Sequence, residues 1–251
     1  LLKWLRANDC PWDGWTCANA AGNGHLEVLK WARANGCPWD KWTCASAALN
    51  GHLEVLKWAR AQAEPEQDAM HLAHGLEPCP WNEYTCAFAA GNGHLEVLKW
   101  ARANGCPWNE CTCSYAAENG HLEVLEWLKS NGCPWSEITS RYAALNGHLD
   151  LLIWLRFNDC PWDKWTCANA ALNGHLEALK WLKANGCPWD EITSRYAALN
   201  GHLDLLIWLR GNGLDPCPWD EWTCANAAEN GHLKVLKWLR AQAEPEQDAM
   251  H

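Results

Sequence analysis

The tripeptide Cys-Pro-Trp recurs eight times, at Cys10, Cys37, Cys79, Cys106, Cys133, Cys160, Cys187 and Cys217, with spacings of 27, 42, 27, 27, 27, 27 and 30 residues. This period constrains the fold more than any other feature of the 251 residues. A unit of 27 residues cannot bury an apolar face of its own and becomes stable only when stacked on copies of itself. The irregular spacings are an insertion of 15 residues in the second unit and one of 3 in the seventh, and the opening LLKWLRAND is the second half of a further unit. The skewed composition has the same origin, since copying one Trp- and Cys-bearing unit yields 21 Trp and 15 Cys against 2 Phe and 2 Met.

A representative unit, Cys160 to Gly186, reads CPWDKWTCANAALNGHLEALKWLKANG. Its fourth position is Asp13, Asp40, Asn82, Asn109, Ser136, Asp163, Asp190 or Asp220 along the chain, always a short oxygen-bearing side chain that can cap the start of a helix. The pattern predicts a first helix from there through the Ala-rich stretch to Asn173-Gly174, because Asn and Gly accept the left-handed conformation that ends helices. His175 then opens a second helix that ends at Asn185-Gly186, where it reads as a local hydrogen-bonding residue. In the first unit Leu26, Val28, Leu29 and Trp31 make a broad apolar face, with Glu27, Lys30 and Ala34 on the other side.

The expected architecture is an all-α helical solenoid of eight 27-residue helix-turn-helix units plus an N-terminal half unit, a single array over residues 1–251. The units start at residues 10, 37, 79, 106, 133, 160, 187 and 217, with 61–78 as an insert and the tail 241–251 as loop. The eleven residues AQAEPEQDAMH at 61–71 recur identically at 241–251, which implies duplication of a block of 180 residues. The chain opens in mid-helix and stops in mid-loop, as a piece of a longer array would.

The run Trp165-Thr166-Cys167-Ala168-Asn169-Ala170-Ala171, followed by Asn173-Gly174-His175-Leu176-Glu177, resembles the TPLHxAA…GHxxVVxxLL core of ankyrin repeats, and the NGHL element is present in all eight units. The short Trp- and Cys-rich units are similar to ankyrin-like arrays of giant viruses, oomycetes and algae. The resemblance implies a stack of helix pairs that binds proteins. Two departures matter. The period is 27 instead of 33, which reduces the projecting hairpin to a tight loop, and the TPLH histidine is replaced, as at Ala18 and Ala168. Both shift the expected binding surface from the loops to the inner, concave face of the first helices.

Charge and chemistry narrow the function further. With 20 Lys+Arg against 30 Asp+Glu the net charge is −10, which argues against a nucleic-acid partner. No apolar run approaches the ~18–20 residues of a membrane span. Each unit carries the same side chains, whereas a catalytic site needs different groups converging once, so neither an enzyme nor a cofactor is expected. Cys10, Cys17 and His25 exemplify a repeated Cys/Cys/His set. Its spacing is not a usual zinc spacing, Ser140 and Ser194 replace the second Cys in two units, and neighbouring rungs about 10 Å apart would keep sulfurs from sharing one ion, so no metal is expected. The cysteines read as small hydrophobes, and so many unpaired thiols point to a reducing, cytoplasmic compartment.

The units differ from one another chiefly at positions 6, 10 and 13, which share one face of the first helix. The rungs read Trp15/Asn19/Gly22, Trp42/Ser46/Leu49, Tyr84/Phe88/Gly91, Cys111/Tyr115/Glu118, Ile138/Tyr142/Leu145, Trp165/Asn169/Leu172, Ile192/Tyr196/Leu199 and Trp222/Asn226/Glu229. Aromatic residues beside changing polar groups have the makeup of an interface core. The competing reading is that position 6 packs against the next rung. The expected function is protein–protein binding through this face, the alternative being a structural or scaffold subunit of a larger assembly.

Overall fold

The short oxygen-bearing residue at position 4 of each unit caps a helix. Asp13 accepts the Trp15 N–H at 3.0 Å, Asp40 that of Trp42 at 2.9 Å and Asp163 that of Trp165 at 3.1 Å. At Asp13, Asp163 and Asp220 the threonine three residues on accepts the cap residue's own N–H, closing a capping box. The computed structural model describes residues 11–61, 77–211 and 216–243. Among them sixteen helices and no strands occur.

The helices come in pairs: α1 (Gly14–Gly22) and α2 (Leu26–Ala34), α3 (Lys41–Leu49) and α4 (Leu53–Arg60), α5 (Glu83–Gly91) and α6 (Leu95–Ala103), α7 (Glu110–Glu118) and α8 (Leu122–Ser130). The later pairs are α9 (Glu137–Leu145) and α10 (Leu149–Phe157), α11 (Lys164–Leu172) and α12 (Leu176–Ala184), α13 (Glu191–Leu199) and α14 (Leu203–Arg210), α15 (Glu221–Glu229) and α16 (Leu233–Ala243). The fold is the helical repeat stack expected from the period. Two compact units are present, one holding described residues up to 116 and 121–134, the other 117–120 and the described residues from 135.

Within each unit the first helices lie side by side, α1 on α3 on α5 in one and α9 on α11 on α13 on α15 in the other. Small side chains permit that approach. The Ala pairs Ala47/Ala48, Ala89/Ala90, Ala143/Ala144 and Ala170/Ala171 are fully buried or nearly so. The second helices contribute the larger apolar groups, with Leu56, Leu98, Leu125, Leu152 and Leu179 buried.

The histidine at the start of each second helix is not the local group its sequence position suggests. It occupies the N-cap position without making a side-chain cap bond. Where the preceding repeat is described the ring instead reaches back to it: Nε2 lies 3.1 Å from the Gly22 carbonyl at His52, 3.0 Å from that of Leu145 at His175 and 3.0 Å from that of Leu172 at His202. The ring rests on the turn glycine of that repeat. A Cβ added at Gly174, where φ is +73°, would lie 2.6 Å from His202 Nδ1. This glycine both adopts a left-handed backbone and leaves room for the ring. The glycine ending the second helix has only the backbone role, and at one of these positions the chain places Asp159 at φ +59° instead.

The expected loop at 241–251 is helical in its first three residues, since α16 continues to Ala243. Ala241, Gln242 and Ala243 are good helix formers and no Asn-Gly pair follows Arg240, although α4, followed by the same three residue types, ends at Arg60. The rest of that tail, most of the 61–78 insert (residues 62–76) and the N-terminal half unit lie outside the described residues.

Two outcomes follow for stability. Gly186→Ala, where φ is +83° and nothing lies within 4 Å of the added Cβ, is expected to cost about 1–2 kcal/mol in urea unfolding. Gly174→Ala is expected to cost clearly more, because it also displaces His202; equal costs would show that the ring contributes nothing. Burial above all, together with the charges of His148 and His202, holds His175 below the ordinary value of 6.5. A lowered folded-state pKa contributes stability that is complete above the unfolded value and lost as pH falls below it. Urea midpoints of the wild type should therefore drop as pH falls from 6.5 towards the folded value, and less so in His175→Gln.

Candidate interaction surface

Positions 6, 10 and 13 of the first helices are half-buried or exposed at every described repeat except at Gly91, which is buried. In the first unit the rings form a connected row. Trp42 stacks on Tyr84 at 5.7 Å and on Phe88 at 6.4 Å, Tyr84 meets Phe88 at 5.8 Å, and Phe88 stacks on Tyr115 at 6.1 Å. Trp15 is 61% exposed, and Asn19 and Cys111 are exposed, while Ser46 is half-buried between the aromatic rungs. Trp42 therefore packs on the rings of the next rung while part of its side chain reaches solvent.

In the second unit the row is more aliphatic. Ile138, Tyr142, Trp165, Ile192 and Tyr196 are half-buried, Trp165 lies 6.2 Å from Tyr196, and Trp222 is 57% exposed. Two of the expected partner-binding residues spend part of their side chain on the fold. Asn169 Nδ2 donates to the Arg141 carbonyl at 3.3 Å and Asn226 Nδ2 to the Arg195 carbonyl at 3.3 Å.

These two arginines were missed in the sequence. Arg141 Nε donates to Asp163 Oδ1 at 3.0 Å and its Nη2 to Oδ2, a bidentate clip onto the cap residue of the next repeat. Arg195 grips Asp220 in the same way and holds that carboxyl below the usual range. The clips occur only where position 8 is serine, at Ser140 and Ser194, and this paired replacement was the available signal. Glu137 and Glu191 also lie within 3.6 Å and 3.9 Å of these guanidinium groups. On α11, Lys164 pairs with Asp190 at 2.8 Å. In the first unit position 9 is Ala18, Ala45, Ala87 or Ser114, and the first-turn acids Glu83 and Glu110 have no ion-pair partner among the described residues.

The tryptophans at position 3 and on the second helix form a separate set. Each repeat pairs them edge to face, as in Trp39–Trp58 at 5.8 Å and Trp162–Trp181 at 6.0 Å. A cation from the preceding second helix covers the position-3 ring: Arg60 lies 4.0 Å from the Trp81 centroid while donating to the Cys79 carbonyl at 2.8 Å. Such a cation–ring contact contributes about 0.5–1 kcal/mol at a partly exposed site. These rings join repeats together.

The cysteine columns correct one expectation. Sulfurs of neighbouring rungs are not held apart, because position 8 points towards the next repeat and position 1 points back. Cys44 Sγ donates to the Cys79 carbonyl at 3.8 Å, Cys86 Sγ to that of Cys106 at 4.0 Å and Cys167 Sγ to that of Cys187 at 3.9 Å. Cys79 Sγ also donates to the Asp40 carbonyl at 3.3 Å and Cys187 Sγ to the Asp163 carbonyl at 3.5 Å. The neighbouring thiol and burial push Cys44, Cys106 and Cys167 far up, and burial pushes Cys217 up to about 11. Thiols held protonated in this way are poor nucleophiles and poor ligands. Where position 8 is serine, Ser140 Oγ donates to the Pro161 carbonyl at 2.9 Å, so the shorter, more polar group takes the next carbonyl along. Among the described residues no group of three or more His, Cys, Asp or Glu side chains is placed to hold a metal ion. Nor is any described helix long and apolar enough to cross a membrane.

Helix pairs repeated at this period, with an alanine-lined first helix and an Asn-Gly-His turn, define a helical-repeat protein. The family model for ankyrin repeats (many copies) matches residues 84–128, 113–156, 167–210 and 194–240, more than half of the chain, and the chain belongs to the ankyrin-repeat family. Similar chains occur among solved structures, 240 in number. One is the human ASB11 ankyrin repeat domain, 18% identical with a TM-score of 0.49, over 68% of this chain and 84% of that one. No curated protein matches the chain.

Of the described cysteines only Cys111 and Cys224 are exposed. A thiol reagent such as DTNB is expected to modify these rapidly in the native protein and the other described cysteines only at the rate of unfolding. Fast native labelling of Cys44 or Cys167, read by mass spectrometry, would contradict the paired burial.

Proposed function

We propose that the chain binds a partner protein through the row of first-helix residues at positions 6 and 10: Trp15, Asn19, Trp42, Ser46, Tyr84, Phe88, Cys111, Tyr115, Ile138, Tyr142, Trp165, Asn169, Ile192, Tyr196, Trp222 and Asn226. This is the side that the family resemblance makes concave. Ankyrin repeats as a class are protein-interaction modules. The observation that carries the reading is the connected, half-exposed aromatic row from Trp42 to Tyr115, on the face where the repeats differ most from one another. Rings already stacked on one another lose little side-chain freedom on binding, so their contact area converts into affinity at low entropic cost.

The second reading is a structural subunit of a larger assembly.

A pull-down from native lysate separates the two, using wild type beside a Trp15, Trp42, Trp165, Trp222→Ala variant whose helicity is verified by circular dichroism. A partner retained by wild type and reduced tenfold or more in the folded variant, the loss of roughly 1.4 kcal/mol or more, supports the binding row. Identical capture by both would place the contacts elsewhere and favour the assembly reading. Unfolding of the variant would show that position 6 is core.

A further inference from the structure

We infer that the aromatic row of the first unit receives an arginine-bearing, extended segment of the partner protein; the inference rests on the row being the binding surface. Three observations support it. The first is the ring surface itself, Trp42, Tyr84, Phe88 and Tyr115 in contact across three repeats, each of them half-exposed. Stacked aromatic faces attract a planar cation.

The second is charge. Glu83 directly precedes Tyr84 in α5, and Glu110 stands at the equivalent place in α7. Neither has an ion-pair partner among the described residues, whereas the corresponding Glu137 and Glu191 of the second unit each lie beside the chain's own arginine. The cation on this row, Lys41, already lies over Trp42 at 5.5 Å. Glu83 and Glu110, on a chain whose net charge is −10, complement a cationic segment.

The third is the chain's own use of guanidinium groups on rings. Arg33 lies 4.1 Å from the Trp39 ring, Arg60 4.0 Å from Trp81 and Arg102 4.1 Å from Trp108. Arginine suits this face better than lysine, because a guanidinium can lie flat on a ring while its edge bonds a carboxylate. Spacing follows as well. Neighbouring repeats lie about 10 Å apart and an extended chain advances about 3.3 Å per residue, so arginines three residues apart meet Glu83 and Glu110 in turn.

The test titrates the full chain with a synthetic peptide of about ten residues bearing Arg-Ala-Ala-Arg, following tryptophan fluorescence at low and high salt. Comparison peptides place the two arginines adjacent, or replace them by lysine or by glutamate. The spaced arginine peptide is expected to bind tightest, the lysine peptide several-fold weaker and the glutamate peptide not at all. The double variant Glu83→Gln, Glu110→Gln is expected to bind about tenfold more weakly and to lose most of the salt dependence. No binding of the arginine peptide, or unchanged binding in that double variant, overturns the inference. If the glutamate peptide or an all-alanine peptide binds instead, and Phe88→Ala abolishes it in a folded protein, the arginine assignment fails while the row stands as a binding surface. If no peptide binds and partners captured from lysate survive the tryptophan variant, both readings fail.

Discussion

Contact between consecutive repeats is the constraint on which everything else in this molecule depends. A pair of nine-residue helices such as α11 and α12 has no interior of its own, so its stability is the stability of its interfaces with the repeats before and after. Three kinds of contact supply those interfaces at different places on the repeat. Histidine rings seat on the turn glycine of the preceding repeat and bond its carbonyl. Thiols fill the space between first helices, those of position 1 bonding the preceding repeat's cap carbonyl and those of position 8 the carbonyl of the next repeat's position-1 cysteine. Arginines at the end of second helices cover the next repeat's tryptophan. Each contact is modest, of the order of 1 kcal/mol, and each is repeated at almost every step.

The same economy shapes the surface. Alanine and cysteine on the inner side let the first helices approach closely, which leaves positions 6, 10 and 13 pointing outwards with no packing rule strong enough to hold them constant. They vary accordingly, from Trp42 and Phe88 to Ile138 and Ile192. The two units then diverge in charge. In the second, Arg141 and Arg195 neutralise nearby acids and clip successive repeats together. The first lacks those arginines, and Glu83 and Glu110, on the helices that carry the half-exposed rings Tyr84, Phe88 and Tyr115, have no ion-pair partner among the described residues.

Much of this was legible in the sequence. Local chemistry decides the caps and stops: Asp40 and Asp163 bond the N–H groups two residues on, and Asn-Gly ends the first helices, whatever lies around them. The candidate row was legible too, because helical periodicity alone puts Trp42 and Ser46 on one face. What periodicity could not show was which groups meet across repeats. His175 looked local because its sequence neighbours are a helix start, yet its partner is Leu145, thirty residues earlier. Cys44 and Cys79 looked like members of two separate columns, yet the Cys44 thiol bonds the Cys79 carbonyl of the next repeat.

The sequence by itself determined the helix pairs, their ends, the period and the face on which variation collects, since these depend on interactions within about four residues of the chain and on burial patterns that recur with it. Only the tertiary structure decided the pairing of position 8 with the next repeat's position 1, the reach of each histidine and the grip of Arg141 on Asp163. Those contacts depend on how far apart and in what orientation two repeats settle, a quantity set by the summed packing of alanine, cysteine and leucine that no single residue encodes.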